Sequence, residues 1–212
     1  MPAWRVSDLG LCEYREAYAL QQRLLAERQA DAPGEGVDTL ILVEHPHVIT
    51  LGRRAGSRAN VFTDEMPVVE IERGGDVTYH GPGQLVGYPI VRLVDKERDL
   101  HAFLRALEAG LIAACGDLGL AAERRDKYTG VWLGERKVAS LGIAVRRWVT
   151  MHGFALNVAT DLSRFRAINP CGMEASVMTS LSEALGRTVT LEEVKPLVIH
   201  RMSEALQRSF LE

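Results

Sequence analysis

Cys171 is the one cysteine of this chain placed for chemistry. It follows Pro170, precedes Gly172 and belongs to no apolar periodicity, so a tight turn would leave its thiol open to a substrate. A lone cysteine also packs as a small hydrophobe, and residue type alone does not decide between the two. As a nucleophile the thiol would need help. Its ordinary pKa of about 8.5 leaves only a few per cent thiolate near neutrality. Three side chains could supply that help: His80, His152 and Lys137. Lys137 precedes Ser140, Leu141 and Gly142, a small and bendable stretch. Strand alternation would put Lys137 and Ala139 on one face, with Val138 and Ser140 on the other. A solvated hairpin lysine is the competing reading.

The second stretch of interest is RGGDVTYHGPGQLVGYPI, residues 73–90. Its glycines and Pro82 bend the chain repeatedly around Arg73, Tyr79, His80 and Tyr88. Glycine lets a ligand approach the backbone closely, so the stretch reads as the wall of a binding site or as a run of turns. His45 and His47 flank Pro46, but no third metal ligand stands nearby, so they read as loop residues after a strand. Cys12 reads as structural. His101 at a helix start and His200 on a helix read as surface residues.

The elements that must position these groups follow from periodicity. Trp4 and Val6 open a short strand. A helix is predicted over 14–30, with Tyr14, Ala17, Tyr18, Leu24 and Leu25 on one face. Residues 39–44, 67–72 and 85–91 read as strands, Pro89 demoting the end of the last to an edge or a bulge. Residues 100–118 form the clearest helix, since Leu100, Phe103, Leu104, Leu107, Leu111, Cys115 and Leu118 recur at three- and four-residue steps. Gly119 suits its C-terminal cap, and Cys115 falls on the core face. Residues 129–133 and 136–145 read as a hairpin around Gly134, with a further strand over 149–158. Helices are predicted over 179–185 and from 191 to about 210. The second is opened by Thr190 and Glu193 at capping-box spacing, and Pro196 could kink it. Strands and hairpins outnumber βαβ alternations. The expected fold is α/β of the α+β type, a mixed, largely antiparallel sheet flanked by helices, in one domain over 1–212.

Composition narrows the function. The formal net charge of −3 speaks against a nucleic-acid binder, although clusters at Arg53/Arg54/Arg58, Arg124/Arg125/Lys127 and Arg146/Arg147 could attract an acidic partner. No apolar run is long enough to span a membrane, and a charged-then-apolar leader is not evident at the N-terminus. Three cysteines at wide, irregular spacing form neither a disulfide framework nor a zinc site, so a reduced, cytoplasmic setting is expected.

Three blocks, RGGDVTYHGPGQLVGYP, RKVASLGIAVRRWVTMHGFALNV and INPCGM, carry a resemblance in order and spacing. They resemble the octanoyl-acyl-carrier-protein:protein octanoyltransferases, also called lipoyl(octanoyl) transferases. The likeness runs through nearly the whole chain. The first block fits the pattern RGGxxTxHxxGQxVxY at every fixed position, with Asp76 and Val77 at variable ones.

The resemblance implies a fold similar to the catalytic domains of biotin and lipoate protein ligases, and a reaction without ATP, metal or other cofactor. An octanoyl or lipoyl group on the phosphopantetheine of acyl carrier protein would pass to Cys171. A lysine of a lipoyl domain would then take it as an amide. Acceptors would be the lipoyl domains of 2-oxoacid dehydrogenase complexes and the glycine cleavage H protein. Carried onto matching positions, Cys171 is the nucleophile and Lys137 its activator. The acyl group would meet Arg73, Gly74, Gly75, Asp76, Val77, Thr78, Tyr79 and His80, then Ser140, Leu141, Gly142, Gly153, Phe154 and Ala155. Tyr79, Leu141 and Phe154 would line a dry slot, and backbone N–H groups near Leu141 and Gly142 would face the oxyanion. His80 would orient the reacting pair, bind the thioester, or hold the loop together. Arg146 and Arg147 are the expected carrier-docking cluster. The competing readings are an ATP-dependent ligase on the same fold, a non-catalytic carrier-binding module and a thioester hydrolase.

Overall fold

The computed structural model describes residues 2–32, 35–54, 56–63, 65–170 and 173–211. Among them the elements run β1 (Ala3–Leu11), α1 (Tyr14–Ala30), β2 (Asp38–Glu44), β3 (Val48–Leu51), β4 (Val68–Glu70), β5 (Val77–His80), β6 (Gln84–Ile90) and α2 (Leu100–Asp117). They continue as β7 (Ala122–Arg125), β8 (Tyr128–Leu133), β9 (Arg136–Arg146), β10 (Val149–Asn157), α3 (Leu181–Leu185), α4 (Leu191–Leu206) and β11 (Ser209–Phe210).

Eight of these strands form one sheet in the order β11-β1-β2-β6-β10-β9-β8-β7. The pairs β1–β2 and β1–β11 are parallel and the others antiparallel, giving the mixed, mostly antiparallel sheet expected. A small sheet, β4-β3-β5, stands beside it. Alternation along β2 shows how the layers are built. Leu40 and Leu42 join Leu85, Leu107, Leu111, Val138, Leu156, Val198 and Met202 on the face covered by α2 and α4. Ile41 and Val43 join Val86, Tyr88, Ile90, Met151 and Ala155 under α1. Cys115 is buried within the α2 stripe. Leu100, assigned to that stripe by spacing, is 41% exposed, because Asp99 caps the helix just before it and the first turn projects past the sheet.

Three expectations are corrected. Pro89 does not lie at an edge: β6 sits centrally between β2 and β10. Its neighbour β10 pairs with β6 only from Gln84 to Gly87. Beyond that point the Thr150 hydroxyl donates to Pro89 O (2.6 Å), and its oxygen accepts the Val91 N–H (2.9 Å), standing in for the interrupted ladder. The last helix stops at Leu206, short of 210, because Gln207 turns left-handed (φ +52°) and residues 209–210 pair with β1. The run of turns read before the 85–91 strand is interrupted, since Val77–His80 forms a strand of the small sheet.

Candidate active site

A slot opens on the α1 side of the large sheet, between β6, β9 and β10 on one hand and residues 71–80 on the other. Lys137 lies in its wall, only 2% exposed, with Nζ 5.6 Å from the centre of the Trp132 ring. The sheet is irregular here. The β8–β9 register shifts between Val131 and Trp132, and both Lys137 and Val138 are buried, so simple alternation does not describe this end of the strand. Lys137 O accepts the Thr179 N–H at 2.9 Å, tying the strand to the segment that follows residue 173. Pro170 lines the same slot. Cys171 and Gly172 lie outside the described residues.

The opposite wall is a buried polar chain. Arg73 donates through Nη2 to Thr50 O (3.0 Å) and Thr50 Oγ1 (3.2 Å), and through Nη1 to Gly74 O (3.0 Å). His80 is bonded through Nδ1 to Gln84 Oε1 at 2.8 Å. Gln84 Nε2 donates onward to Asn157 Oδ1 (3.0 Å), and Asn157 Nδ2 donates to Thr179 O (2.9 Å). Burial, then the neighbouring His45, pushes the His80 pKa down to about 3, so its ring is neutral with Nδ1–H as donor. This polar chain holds the wall against the Lys137 strand, and the loop-holding role considered for His80 is filled by its bond to Gln84.

Two glycines set the close approach. A Cβ on Gly142 would meet Gly74 O at 2.9 Å, and Gly74 N donates to Ile143 O at 2.8 Å. The smallness at 142 therefore lets the 73–75 turn cross β9. Asp76, 3% exposed, caps its own turn by accepting the Val77 N–H (2.8 Å) and the Asn60 Nδ2–H (3.0 Å).

Far from Lys137 the slot is lined by Tyr14 and His152, with Tyr88 in the same wall. His45 bridges Cys12 O (2.7 Å) and the Tyr88 hydroxyl (2.8 Å), and burial lowers its pKa to about 4. His152 is 2% exposed and takes φ +58°, a left-handed conformation unusual for a residue with a Cβ. Its ring stacks on Tyr18 (centroids 5.9 Å, 12°), whose hydroxyl donates to Glu72 Oε2 at 2.7 Å. Burial pushes His152 down to about 4, against an upward pull from Glu72. Burial alone would raise the Glu72 carboxyl, but Tyr18, His152 and Arg146 carry it below its ordinary value.

Of the residues read from sequence, Lys137, Arg73, Gly75, Asp76, Val77, Thr78, His80, Ser140, Leu141, Gly142, Gly153, Phe154 and Ala155 share this slot. Gly74 lies behind it in the turn that bonds Ile143. Tyr79 faces away, fully buried against Phe165, with its hydroxyl 2.8 Å from His47 Nδ1. Alternation along β5 explains this, since Thr78 and His80 take the slot side. Phe154 lines the slot beside Gly153 and Ala155, while its ring crosses Gly87 and packs with the α2–α4 core. His152 is at the far end from Lys137 and is not its partner. Arg146 pairs with Glu72 at that same far end (3.1 Å). Tyr14, Ile71, Val86, Tyr88 and Pro170 also line the slot. Tyr14, Val86 and Tyr88 have the spacing of ordinary core, and the meeting of α1 with β6 brings them to the slot. Among the described residues no cluster of His, Cys, Asp and Glu could hold a metal ion, and no helix is long and apolar enough to cross a membrane.

Comparison with known proteins agrees with this architecture. Residues 13–203 match the family described as lipoyl protein ligase A/B catalytic domain. An octanoyltransferase of Syntrophotalea carbinolica is 50% identical over 202 residues, covering 95% of this chain and 94% of its own. One of Geobacter metallireducens is 52% identical over 196 residues, 92% of this chain and 90% of its own. A crystal structure of lipoate-protein ligase A bound with ATP superposes with a TM-score of 0.83 at 20% identity, covering 99% of this chain and 88% of that one. The biotin protein ligase of Aquifex aeolicus superposes at 0.56 and 17% identity, over 97% and 69%. At such identities the structural likeness speaks for the fold alone.

Proposed function

The chain belongs to the lipoyl protein ligase A/B catalytic-domain family and, within it, to the octanoyltransferases, which are acyltransferases; from that membership we propose a two-step relay through Cys171. The Cys171 thiolate attacks the carbonyl of an octanoyl thioester on acyl carrier protein. A Cys171–acyl bond forms, the carrier's C–S bond breaks, and the leaving thiolate takes a proton from the Lys137 ammonium. The ε-amine of a lysine on a lipoyl domain, in a 2-oxoacid dehydrogenase complex or a glycine cleavage H protein, then attacks the acyl-cysteine. An amide forms, the Cys171–acyl bond breaks, and the amine's proton returns to Lys137. The relay uses no ATP and no metal, and we place it in the cytoplasm. A nearby ammonium favours the thiolate, which suits Lys137 to both steps.

The observation that supports this reading most is that Lys137, 2% exposed, and Pro170, the chain neighbour of Cys171, line one slot. A thioester donor already carries the energy of the amide that results, so a thiol relay needs no activation step. Intact mass spectrometry after mixing with octanoyl-acyl carrier protein tests it. An octanoyl adduct is expected on the wild type, absent from Cys171→Ala and discharged onto a lipoyl domain. Full transfer by Cys171→Ser that depends on ATP and magnesium would establish a ligase instead. Release of free octanoate without amide would establish a hydrolase.

A further inference from the structure

The far end of the slot is built around a side chain that has no hydrogen bond among the described residues. Both ring nitrogens of His152 are buried without a hydrogen-bond partner among the described residues, and Glu72 Oε2 stands 3.7 Å from Nε2. Regular alternation would send this side chain to the α2–α4 face, because its cross-strand partner Ile143 packs there. The left-handed backbone instead brings the ring against Tyr18 of α1, where it lines the slot. The Gln21 side chain holds this conformation by accepting the His152 N–H at 2.9 Å. A left-handed φ favours glycine. A histidine here carries backbone strain and gains no hydrogen bond for its ring among the described residues, a combination that points to whatever enters the slot.

Strand geometry supplies a ruler. From Ala155, which pairs with Ser140, to His152 is three residues along β10, or roughly 10 Å at the rise of an extended chain. An extended eight-carbon acyl chain is roughly 9 Å long from ordinary carbon–carbon geometry. Resting on the acyl-transfer reading above, we propose that His152 is the length stop of the slot. The acyl chain lies over Ala155 and Gly153, its terminal methyl reaches the imidazole, and chains of twelve or more carbons are disfavoured. Added methylenes would have to displace the ring from Tyr18, or seal its nitrogens and the Glu72 carboxylate under hydrocarbon that cannot hydrogen-bond.

His152→Gly tests this, because glycine adopts φ +58° without strain and removes the stop. Titration calorimetry with free octanoate, decanoate, dodecanoate and tetradecanoate needs no thioester chemistry, so it is independent of the transfer assay. The wild type is expected to bind octanoate more tightly than dodecanoate. In His152→Gly the dodecanoate-to-octanoate affinity ratio rises at least tenfold, with a cooperative melt confirming the fold. An unchanged length profile in the variant, wild-type affinity climbing steadily through tetradecanoate, or no acid bound at all would each overturn the stop. The intact-mass experiment separately decides whether the transfer reading fails.

Discussion

Glu108 Oε1 accepts the backbone N–H of Gly130 at 2.9 Å, and Gly130 in turn lies directly against the Lys137 side chain. Glu108 is fully buried in α2 and held by Arg105 (2.7 Å) and Arg124 (3.4 Å). Gly130 has φ +145°, and a Cβ there would run into Lys137 Cε and meet Ala139 O at 2.7 Å. The buried carboxylate thus fixes the backbone that seats the lysine. Gly130→Ala is expected to push the amine out of place and reduce kcat/KM for octanoyl transfer by about 10²-fold, the usual penalty for a displacement of around an ångström. Steady-state kinetics beside a thermal melt check this. Activity within twofold of wild type would show that the amine is positioned by other contacts.

Lys137 itself should matter through charge. Lys137→Ala is expected to slow octanoyl transfer by about 10²- to 10⁴-fold, the range for losing a positioned acid–base group. It should also move the pH midpoint of Cys171 alkylation upward, since the thiolate loses a neighbouring cation. Iodoacetamide rates from pH 5 to 10, compared between wild type and variant, give the answer. Superposable profiles would remove Lys137 from the activation of the thiol.

Periodic segments were readable from sequence. Tyr14–Ala30, the β8–β9 hairpin and α2 carry their own three-to-four or two-residue signals, and local chemistry supplies their ends: Asp99 at the start of α2, and left-handed Gly119 after it. Other features depend on partners distant in sequence. β11 exists because Pro2 and Trp4 receive residues 209 and 211, and no local pattern distinguishes it from a helix tail. β3 and β7 are four residues each, too short for periodicity to register. In the site, glycine-rich turns and the lysine were visible as residue types. Which side of β5 faces the slot is set by pairing with β3, so Tyr79 could not be told from His80 beforehand. His152 was visible only as a possible activator of the thiol, and its place at the far end of the slot follows from its left-handed φ.

A buried ion cluster under the first strands should dominate stability. Asp38, 1% exposed, accepts from Arg28 Nε (2.8 Å), Arg208 Nε (2.7 Å) and the Arg92 backbone N–H (3.0 Å), and Arg208 also binds Glu97 (2.8 Å). The cluster joins α1, β2 and the chain just before β11. Asp38→Asn leaves two buried guanidinium groups without their shared carboxylate. The expected loss is about 3–5 kcal/mol in urea unfolding, the range for breaking a buried pair from one side. A loss below 1 kcal/mol would mean that Glu97 and Asp31 carry the neutralisation.

Acid should destabilise the fold through the buried histidines. Burial lowers His45 to about 4, and burial with the neighbouring His45 lowers His80 to about 3, both from an ordinary value near 6.5. Between those limits the unfolded chain binds protons that the folded one refuses, so stability rises with pH there. The stabilisation is fully present above about pH 6.5 and is lost as the pH falls toward 4. Each histidine gives a slope of at most about 1.4 kcal/mol per pH unit, or roughly 2 kcal/mol each by pH 5. His45→Gln provides the discriminating comparison, since an amide can bond Cys12 O and the Tyr88 hydroxyl without titrating. Urea unfolding at pH 7.5, 6.0 and 5.0 is expected to show a shallower fall for the variant than for the wild type, whatever their difference at pH 7.5. Parallel curves would mean that His45 takes up its proton in the folded state, and the acid sensitivity would then belong to His80 and His152.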